Sequence, residues 1–191
     1  MTKPVARRAD AVRNRVNILR AARELITRRG PDAGMDEIAQ AAGVAVGTLY
    51  RHFPTKNDLV QAIVQELTDR IFELLDHTVA SIEAGTTAAV ALSAMTRRAA
   101  EAIGNDRALK TAITNLGLPE QQEATERAMR GLGRIVAAGH ADGSLRLDVR
   151  VEDLVIILST IPADDLPPPA RKRWLELMMR TLTMPDPNPP A

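Results

Sequence analysis

The positions of the prolines set the strongest limit on the fold of this 191-residue chain. Twelve prolines occur, but none lies in residues 55–118 or 120–161. A proline inside a helix costs about 3 kcal/mol, so these two stretches are able to hold long helices. Aromatic residues make up only 2% of the chain, which disfavours a protein built on aromatic and β-branched strands. The sequence therefore predicts an all-α fold.

Apolar residues recur at helical spacing through most of the chain. The first stripe predicts a helix over about 10–29, which ends at Gly30-Pro31. Its members are Val12, Val16, Leu19, Ala22 and Ile26. Further helices are predicted over about 35–42, 46–53, 56–82, 86–103, 107–116, 119–140 and 168–183, and one more around 154–158.

Residues 154–158 read LVIIL and fit either a buried strand or a helix that is buried on all sides. The all-helical context and the acidic residues Glu152 and Asp153 upstream favour the helix. The tail, residues 184–191, reads MPDPNPPA and is expected to be disordered because it is rich in proline.

Several functional classes are disfavoured by composition and by missing motifs. The chain has no cysteine, which excludes disulfides, thiol catalysis and zinc–thiolate sites. Its three histidines do not have the spacing of a helical metal site, and no phosphate-binding glycine loop occurs. No apolar run is long enough to span a membrane or to serve as a signal peptide. We therefore expect a cytoplasmic protein with no metal or cofactor.

Positive charge is concentrated at the amino-terminal end. Residues 1–60 contain 11 Lys and Arg against 6 Asp and Glu, whereas the rest of the chain is mildly acidic. This asymmetry fits a polyanion partner for the first third, although a solvated basic helix face would look the same. A basic arm before or within the first helix contains Arg7, Arg8, Arg13 and Arg15.

Residues 36–53 have the layout of a helix, a tight turn and a second helix. Gly43 lies where the chain has to turn sharply, and Ala39 is small enough for two helices to cross closely. The residues able to point inward together are Ile38, Ala42, Val44, Leu49 and Phe53. This is the pattern of a helix-turn-helix, whose second helix enters the DNA major groove, although many helical hairpins share it.

The segments DEIAQAAG (36–43) and GVAVGTLYRHFPTKNDL (43–59) resemble the signature of the TetR family of transcriptional regulators. The resemblance covers about residues 12–65, with a weaker segment at 143–154. It implies a three-helix DNA-binding domain over 1–55 and a helical effector-binding and dimerisation domain over 56–183. The implied function is a ligand-responsive repressor that binds a palindromic operator as a homodimer and catalyses no reaction.

Seven residues are candidate DNA contacts. Gly47 permits close approach to DNA, and Thr48 is able to donate to a phosphate or a base edge. Lys56 and the first amides of the long helix form a candidate phosphate clamp. The resemblance assigns phosphate contacts to Tyr50 and His52, for which a packing and a solvated role are the respective alternatives. It also implies that Arg51 and Val46 vary with the operator.

Two positions depart from the family pattern. Asp36 is the expected cap of the first helix of the motif, where many members have Ser or Thr one or two residues earlier. Ala45 lacks the hydroxyl that many members carry there. Thr55 and Asp58 fit an acidic variant of a capping box at the start of the next helix.

The remaining candidates concern the second domain. Pairing of the two last apolar helices across a two-fold axis would give a four-helix dimer interface. Its candidate residues are Leu154, Ile157, Leu158, Ile161, Trp174, Leu175, Met178 and Leu182. The effector is an unknown small molecule, and ordinary core or surface roles remain alternatives for its candidate contacts. These are Leu67, Ile71, Phe72, Met95, Arg98, Ile113, Thr114 and Asn115. The competing function is a helical protein-interaction module that does not bind specific DNA.

Overall fold

A computed structural model of the chain describes residues 3–103, 122–162 and 166–184. These residues form eight α-helices and a short 3-10 turn at Gly30–Asp32. The helices are α1 (Lys3–Arg29), α2 (Met35–Ala42), α3 (Val46–His52), α4 (Lys56–Glu83), α5 (Ala88–Ile103), α6 (Gln122–Ala141), α7 (Val151–Ser159) and α8 (Pro168–Leu182). Within these ranges β pairing is limited to an isolated antiparallel bridge between Leu145 and Thr183. The predicted all-α class is confirmed.

The helix bounds follow the predicted ones, with one clear difference. The segment 154–158 lies within α7, so the helical interpretation is confirmed. However, α1 begins at Lys3, about seven residues earlier than expected, because a proline at position 4 is tolerated in a first turn. The helix predicted over 107–116, the start of the one predicted from 119 and the tail from 185 lie outside the described residues.

The described residues fall into two compact units, which divide between Leu67 and Thr68 within α4. The first unit contains α1, α2, α3 and the start of α4, and each of these helices contributes fully buried side chains to one core. They are Ile18, Ile26, Ile38, Leu49, Leu59 and Ile63. Burying an aliphatic side chain of this size is worth about 1.5–3 kcal/mol, so the shared core holds α2 and α3 firmly against the rest of the unit.

The apolar stripe predicted on α1 is buried over only part of its length. Leu19, Ala22 and Ile26 are in the core, but Val12 and Val16 are 65% and 58% exposed. Among residues 9–17 of α1 no side chain is buried, and the first buried side chain after them is Ile18. Helical periodicity predicts which face of a helix is apolar, but it does not predict how much of that face the rest of the unit covers.

The core of the second unit joins side chains from all of its helices. They are Leu75, Val79, Leu92, Met95, Leu132, Ile135, Val136, Leu154, Ile157 and Leu182. The C-terminal end of α8 is joined to the loop before α7, because the Arg146 N–H donates to the Leu182 carbonyl at 2.9 Å.

The loop 142–150 also completes the start of α5. Asp142 Oδ2 accepts a hydrogen bond from the Ala88 N–H at 2.7 Å, and Ser144 Oγ accepts one from the Ala89 N–H at 3.0 Å. The first amides of a helix have no partner within their own helix. Two side chains from a distant loop therefore cap α5.

Candidate nucleic-acid interface

The turn between α2 and α3 is built around Gly43. This residue has a φ of +68°, in the left-handed region that glycine adopts at least cost. Its N–H donates to the Gln40 carbonyl at 3.1 Å, and the Val44 N–H donates to the Ala39 carbonyl at 3.0 Å. These bonds satisfy carbonyls at the end of α2 while the chain reverses within three residues. The sharp turn predicted at Gly43 is confirmed.

α2 and α3 share an inward face. The predicted set is Ile38, Ala42, Val44, Leu49 and Phe53, and all of these are buried except Val44, which is half-buried. Ala39 is also fully buried, as close crossing of two helices requires. At the end of α3 the Phe53 N–H donates to the Leu49 carbonyl at 2.8 Å. The helix-turn-helix layout is therefore present in the structure.

α3 presents its other face to solvent. Within Val46–His52 only Leu49 is buried. The exposed residues are Val46, Gly47, Tyr50 and Arg51, and the half-buried ones are Thr48 and His52. Six of the seven predicted DNA contacts thus lie on a short helix that is fixed on its opposite side and reach solvent together.

No packing contact among the described residues requires a glycine at position 47. A Cβ built at Gly47 would meet no atom from the rest of the described chain, beyond its own helix backbone, within 4 Å. Glycine costs roughly 0.5–1 kcal/mol relative to alanine inside a helix. Because Gly47 is exposed and has no side chain, another molecule is able to approach the helix backbone closely at this position.

The capping box predicted at the start of α4 is confirmed. The Asp58 N–H donates to Thr55 Oγ1 at 3.1 Å, and Asp58 Oδ2 accepts from the Thr55 N–H at 2.9 Å. The Thr55 hydroxyl also donates to the same carboxylate oxygen at 2.7 Å. The side chains of Thr55 and Asp58 therefore already accept hydrogen bonds from two backbone amides at this end of α4. Those two amides are not available to a phosphate.

Lys56 has a structural partner that the sequence did not reveal. Its side chain is half-buried, and Nζ donates to the Ala33 carbonyl at 2.6 Å. Ala33 follows the 3-10 turn and is itself fully buried. Lys56 therefore links the start of α4 to the segment that precedes α2, in addition to any contact that it makes with DNA.

The cap predicted for α2 is wrong in one residue. Gly34 is the N-cap, and its N–H donates to Glu37 Oε2 at 3.3 Å, so Glu37 rather than Asp36 supplies the carboxylate. The reason is that α2 begins at Met35, which places Glu37 at the third helical position. Hydrogen bonding to Arg29 at 2.5 Å, together with the Gly34 amide, lowers the pKa of Glu37.

Most of the described arginines on α1 are held in ion pairs. The pairs are Arg13–Asp10, Arg20–Glu24, Arg23–Glu66, Arg28–Glu24 and Arg29–Glu37. The Arg15 guanidinium lies instead over the Phe53 ring, with Cζ 4.9 Å from the ring centroid. The count of basic residues in the sequence therefore overstates the number of unpaired positive charges on this helix.

Comparison with known proteins assigns a family to this arrangement. Residues 18–63, which lie in the first unit, match the family described as bacterial regulatory proteins of the tetR family. A helix-turn-helix-type transcriptional regulator of Staphylococcus aureus strain MRSA252 is 42% identical over 69 residues, which is 35% of this chain and 36% of that protein. The chain thus spans about a third of the length of the curated relatives that it matches.

Two solved structures are similar over almost their whole length. The TetR transcription regulatory protein from Mycobacterium vanbaalenii is 31% identical, with a TM-score of 0.65 over 93% of this chain and 99% of that one. The chain belongs to the TetR family of transcriptional regulators. A second TetR transcriptional regulator, from Streptomyces coelicolor, is 29% identical, with a TM-score of 0.64 over 90% of this chain and 99% of that one.

The effector candidates of this TetR-family chain have different surroundings. Leu67 packs against the core of the first unit, whereas Met95 belongs to the core of the second and the half-buried Phe72 packs against that core. Ile71 and Arg98 are exposed. The other three candidates, Ile113, Thr114 and Asn115, lie outside the described residues.

An open groove in the second unit lies apart from the effector candidates. It has a volume of about 640 Å³, and none of the effector candidates lines it. Its walls carry both charges and several apolar side chains, among them Arg146, Asp148, Ile156, Arg180 and Leu182.

Across the described residues, no group of three or more His, Asp or Glu is placed to hold a metal ion. No described helix is long and apolar enough to cross a membrane.

The dimer candidates divide into two sets. Leu154, Ile157, Ile161 and Leu182 are buried within the protomer. The half-buried set is Leu158, Trp174, Leu175 and Met178. The apolar side chains that α7 and α8 leave exposed are Val155, Ile156 and Leu177. The sequence pattern therefore did not separate the side of α7 and α8 that packs inward from the side that is left to solvent, and their role in a dimer stays a prediction.

Proposed function

We propose that this TetR-family chain is a transcriptional regulator that binds double-stranded DNA through α3. The observation that carries the proposal is the two-sided character of that helix. Leu49 anchors one side in the core, and the candidate contacts of the other side reach solvent together. A short helix held rigidly in this way fits the major groove, as the second helix of a helix-turn-helix does.

The proposed contacts have distinct roles. Gly47 lets the backbone approach the DNA, and Thr48 and Arg51 are placed to reach base edges or phosphates. Val46 offers an apolar surface to a thymine methyl or a sugar. The Tyr50 hydroxyl, His52 and Lys56 serve as phosphate contacts, which set affinity and register rather than sequence preference.

We propose that the protein acts as a homodimer on a palindromic operator. Exposed Val155, Ile156 and Leu177 support this proposal, because a second copy would remove apolar surface of α7 and α8 from water. The half-buried residues Trp174 and Met178 extend the same interface. Two copies of α3 about 34–36 Å apart would read successive major-groove faces of one duplex.

The proposed regulation is repression that a small-molecule effector relieves. The proposed domains are residues 1–55 for DNA binding and 56–183 for effector binding and dimerisation, followed by a tail at 184–191. An effector changes DNA affinity only through its different affinity for the two shapes of the dimer. This role requires no catalytic step or cofactor, and the proposed compartment is the cytoplasm, where the operator lies.

Selection of bound duplexes from a random pool tests the proposal. We expect an enriched inverted repeat with half-sites about one helical turn apart, bound by a dimer with a steep salt dependence. Gel filtration with light scattering on the same complex gives the number of chains per duplex. A pool that yields no enriched sequence, together with binding that salt does not weaken, would favour the protein-interaction module instead.

A further inference from the structure

Arg15 occupies a position on α1 where the helical pattern calls for an apolar residue. It lies four, seven and eleven residues before the buried Leu19, Ala22 and Ile26, and therefore on the same face of the helix. Its side chain is nevertheless exposed. Arg15 lies before Ile18, the first buried residue among the described side chains of α1, so its position on the inner face of the helix is not covered by the core.

The Arg15 guanidinium is held at the C-terminal end of α3. Its Cζ lies 4.9 Å from the centroid of the Phe53 ring, and Phe53 is only 2% exposed. The His52 ring also neighbours Phe53, with centroids 6.2 Å apart. Phe53 thus places the cation of Arg15 beside the last turn of the proposed recognition helix.

This contact leaves the donors of Arg15 able to bind an anion. A guanidinium carries five N–H donors, and its contact with an aromatic ring does not pair those donors with an acceptor oxygen. Among the residues whose side chains the structure describes, no carboxylate lies within 4.0 Å of Arg15. By contrast, Arg13, Arg20 and Arg23 each have such a partner. Arg15 is therefore both oriented and not neutralised by an acid.

We propose that Arg15 donates hydrogen bonds to a backbone phosphate of duplex DNA at the C-terminal end of α3. The proposal rests on the proposed function, since it requires α3 to lie in the major groove. The contact with the Phe53 ring restricts the Arg15 side chain before DNA arrives, which reduces the entropy lost on binding. A phosphate contact of this kind adds affinity for any sequence and sets the register of the protein on the duplex.

The test compares two variants that remove the same charge from the same helix. Arg15→Met keeps an apolar cover on the Phe53 ring, whereas Arg20→Met removes an exposed arginine that pairs with Glu24 at 4.0 Å. DNA affinity is measured by fluorescence anisotropy between about 50 and 300 mM salt, for a selected operator and for a random duplex.

We expect Arg15→Met to weaken binding to both duplexes by about tenfold and to reduce the salt slope by about 0.9 per copy on the duplex. Arg20→Met should retain the slope of the unaltered protein, and Arg15→Lys should lose affinity but keep the slope. Arg15→Gln gives the same slope test if Arg15→Met does not fold.

Two results would overturn the assignment, and they differ in what else they affect. A folded Arg15→Met protein with the affinity and slope of Arg20→Met would show that Arg15 only covers Phe53, and the proposed function would stand. Absence of salt-dependent DNA binding in the unaltered protein would remove the proposed function and the Arg15 contact together.

Discussion

The side chain of Leu145 packs directly on the bare Cα of Gly139. A Cβ at position 139 would lie 2.9 Å from the Leu145 Cβ, closer than real side chains approach. Leu145 is 1% exposed and is fixed by its bridge to Thr183, so it has little room to move. This glycine in the last turns of α6 is therefore a requirement of the packing.

Gly139→Ala should accordingly destabilise the protein by about 1–3 kcal/mol, the usual cost of overpacking a core. Gly133→Ala is the matched control on the same helix, because a Cβ there would meet only Val151 Cγ2 at 3.9 Å. The free energy of unfolding of that control should rise by up to about 1 kcal/mol, because alanine has a higher helix propensity than glycine. Urea unfolding followed by circular dichroism gives both values, and equal stability of the two variants would contradict the packing explanation.

Asp142 should make the stability of the fold depend on acid pH. Burial raises the pKa of its carboxyl, but hydrogen bonds from the Ser144 hydroxyl and from the amides of Ala88 and Ser144 outweigh burial and lower the pKa below its ordinary value. Because the folded pKa is the lower one, the carboxylate stabilises the fold above the unfolded pKa. That contribution is lost as the pH falls through the folded pKa.

Asp142→Asn is the variant that tests this dependence. Urea midpoints are measured for the variant and the unaltered protein from neutral pH down into the acid range in which the lowered pKa of Asp142 lies, and they should differ at neutral pH. The difference should shrink once the carboxyl of the unaltered protein is protonated. A difference that stays constant over the whole range would show that the charge of Asp142 is not what caps α5.

Gly47→Ala should separate folding from DNA binding. A Cβ at this position meets nothing within 4 Å, so the melting temperature should be unchanged or slightly higher. If the DNA backbone approaches α3 here, the added methyl should reduce operator affinity by roughly tenfold, equivalent to about 1.4 kcal/mol. Unchanged affinity in a gel shift would place the DNA elsewhere.

Tyr50→Phe and Arg51→Ala should differ in their effect on sequence preference. Tyr50 is 43% exposed, so loss of its hydroxyl should leave the fold intact and weaken binding to operator and random duplex alike. Arg51→Ala should cost about 1–3 kcal/mol on the operator if the guanidinium reads a base, and it should relax the preference at that base. Repeating the random-pool selection with each variant distinguishes the two roles, and identical preferences would exclude Arg51 from base reading.

Ile156→Glu should dissociate the proposed dimer. Ile156 on α7 is 59% exposed, and Val90 on α5 is 61% exposed, so Val90→Glu places the same charge on a helix outside the proposed interface. Light scattering after gel filtration should give a monomer for the first variant and a dimer for the second. A dimer in both cases would mean that the exposed face of α7 is not the contact.

Local features of the fold were predictable from the sequence, because their causes lie within a few residues. The turn at Gly43 and the Thr55–Asp58 capping box depend on residues at most five positions apart, and both are present in the structure. The inward face of α2 and α3 followed from helical spacing in the same way.

Features that join distant segments were not predictable. The Lys56–Ala33 hydrogen bond and the contact of Arg15 with Phe53 depend on how helices meet in space, which no local pattern encodes. The burial of Leu154 inside the protomer is a similar case, because periodicity does not state which partner covers an apolar face. The solvent-facing side of α3 was thus predictable from the sequence, whereas the contacts that Lys56 and Arg15 make with distant segments were not.

The cap of α5 by Asp142 and Ser144 also has a consequence for the order of folding. Its two hydrogen bonds join residues 54 and 55 positions apart, whereas the bonds of the Gly43 turn join residues three and five apart. Closing a longer loop costs more chain entropy and slows the step that needs it. During refolding we therefore expect the Gly43 turn to gain amide-exchange protection early, and the first turn of α5 to be protected late, once residues 142–144 have arrived.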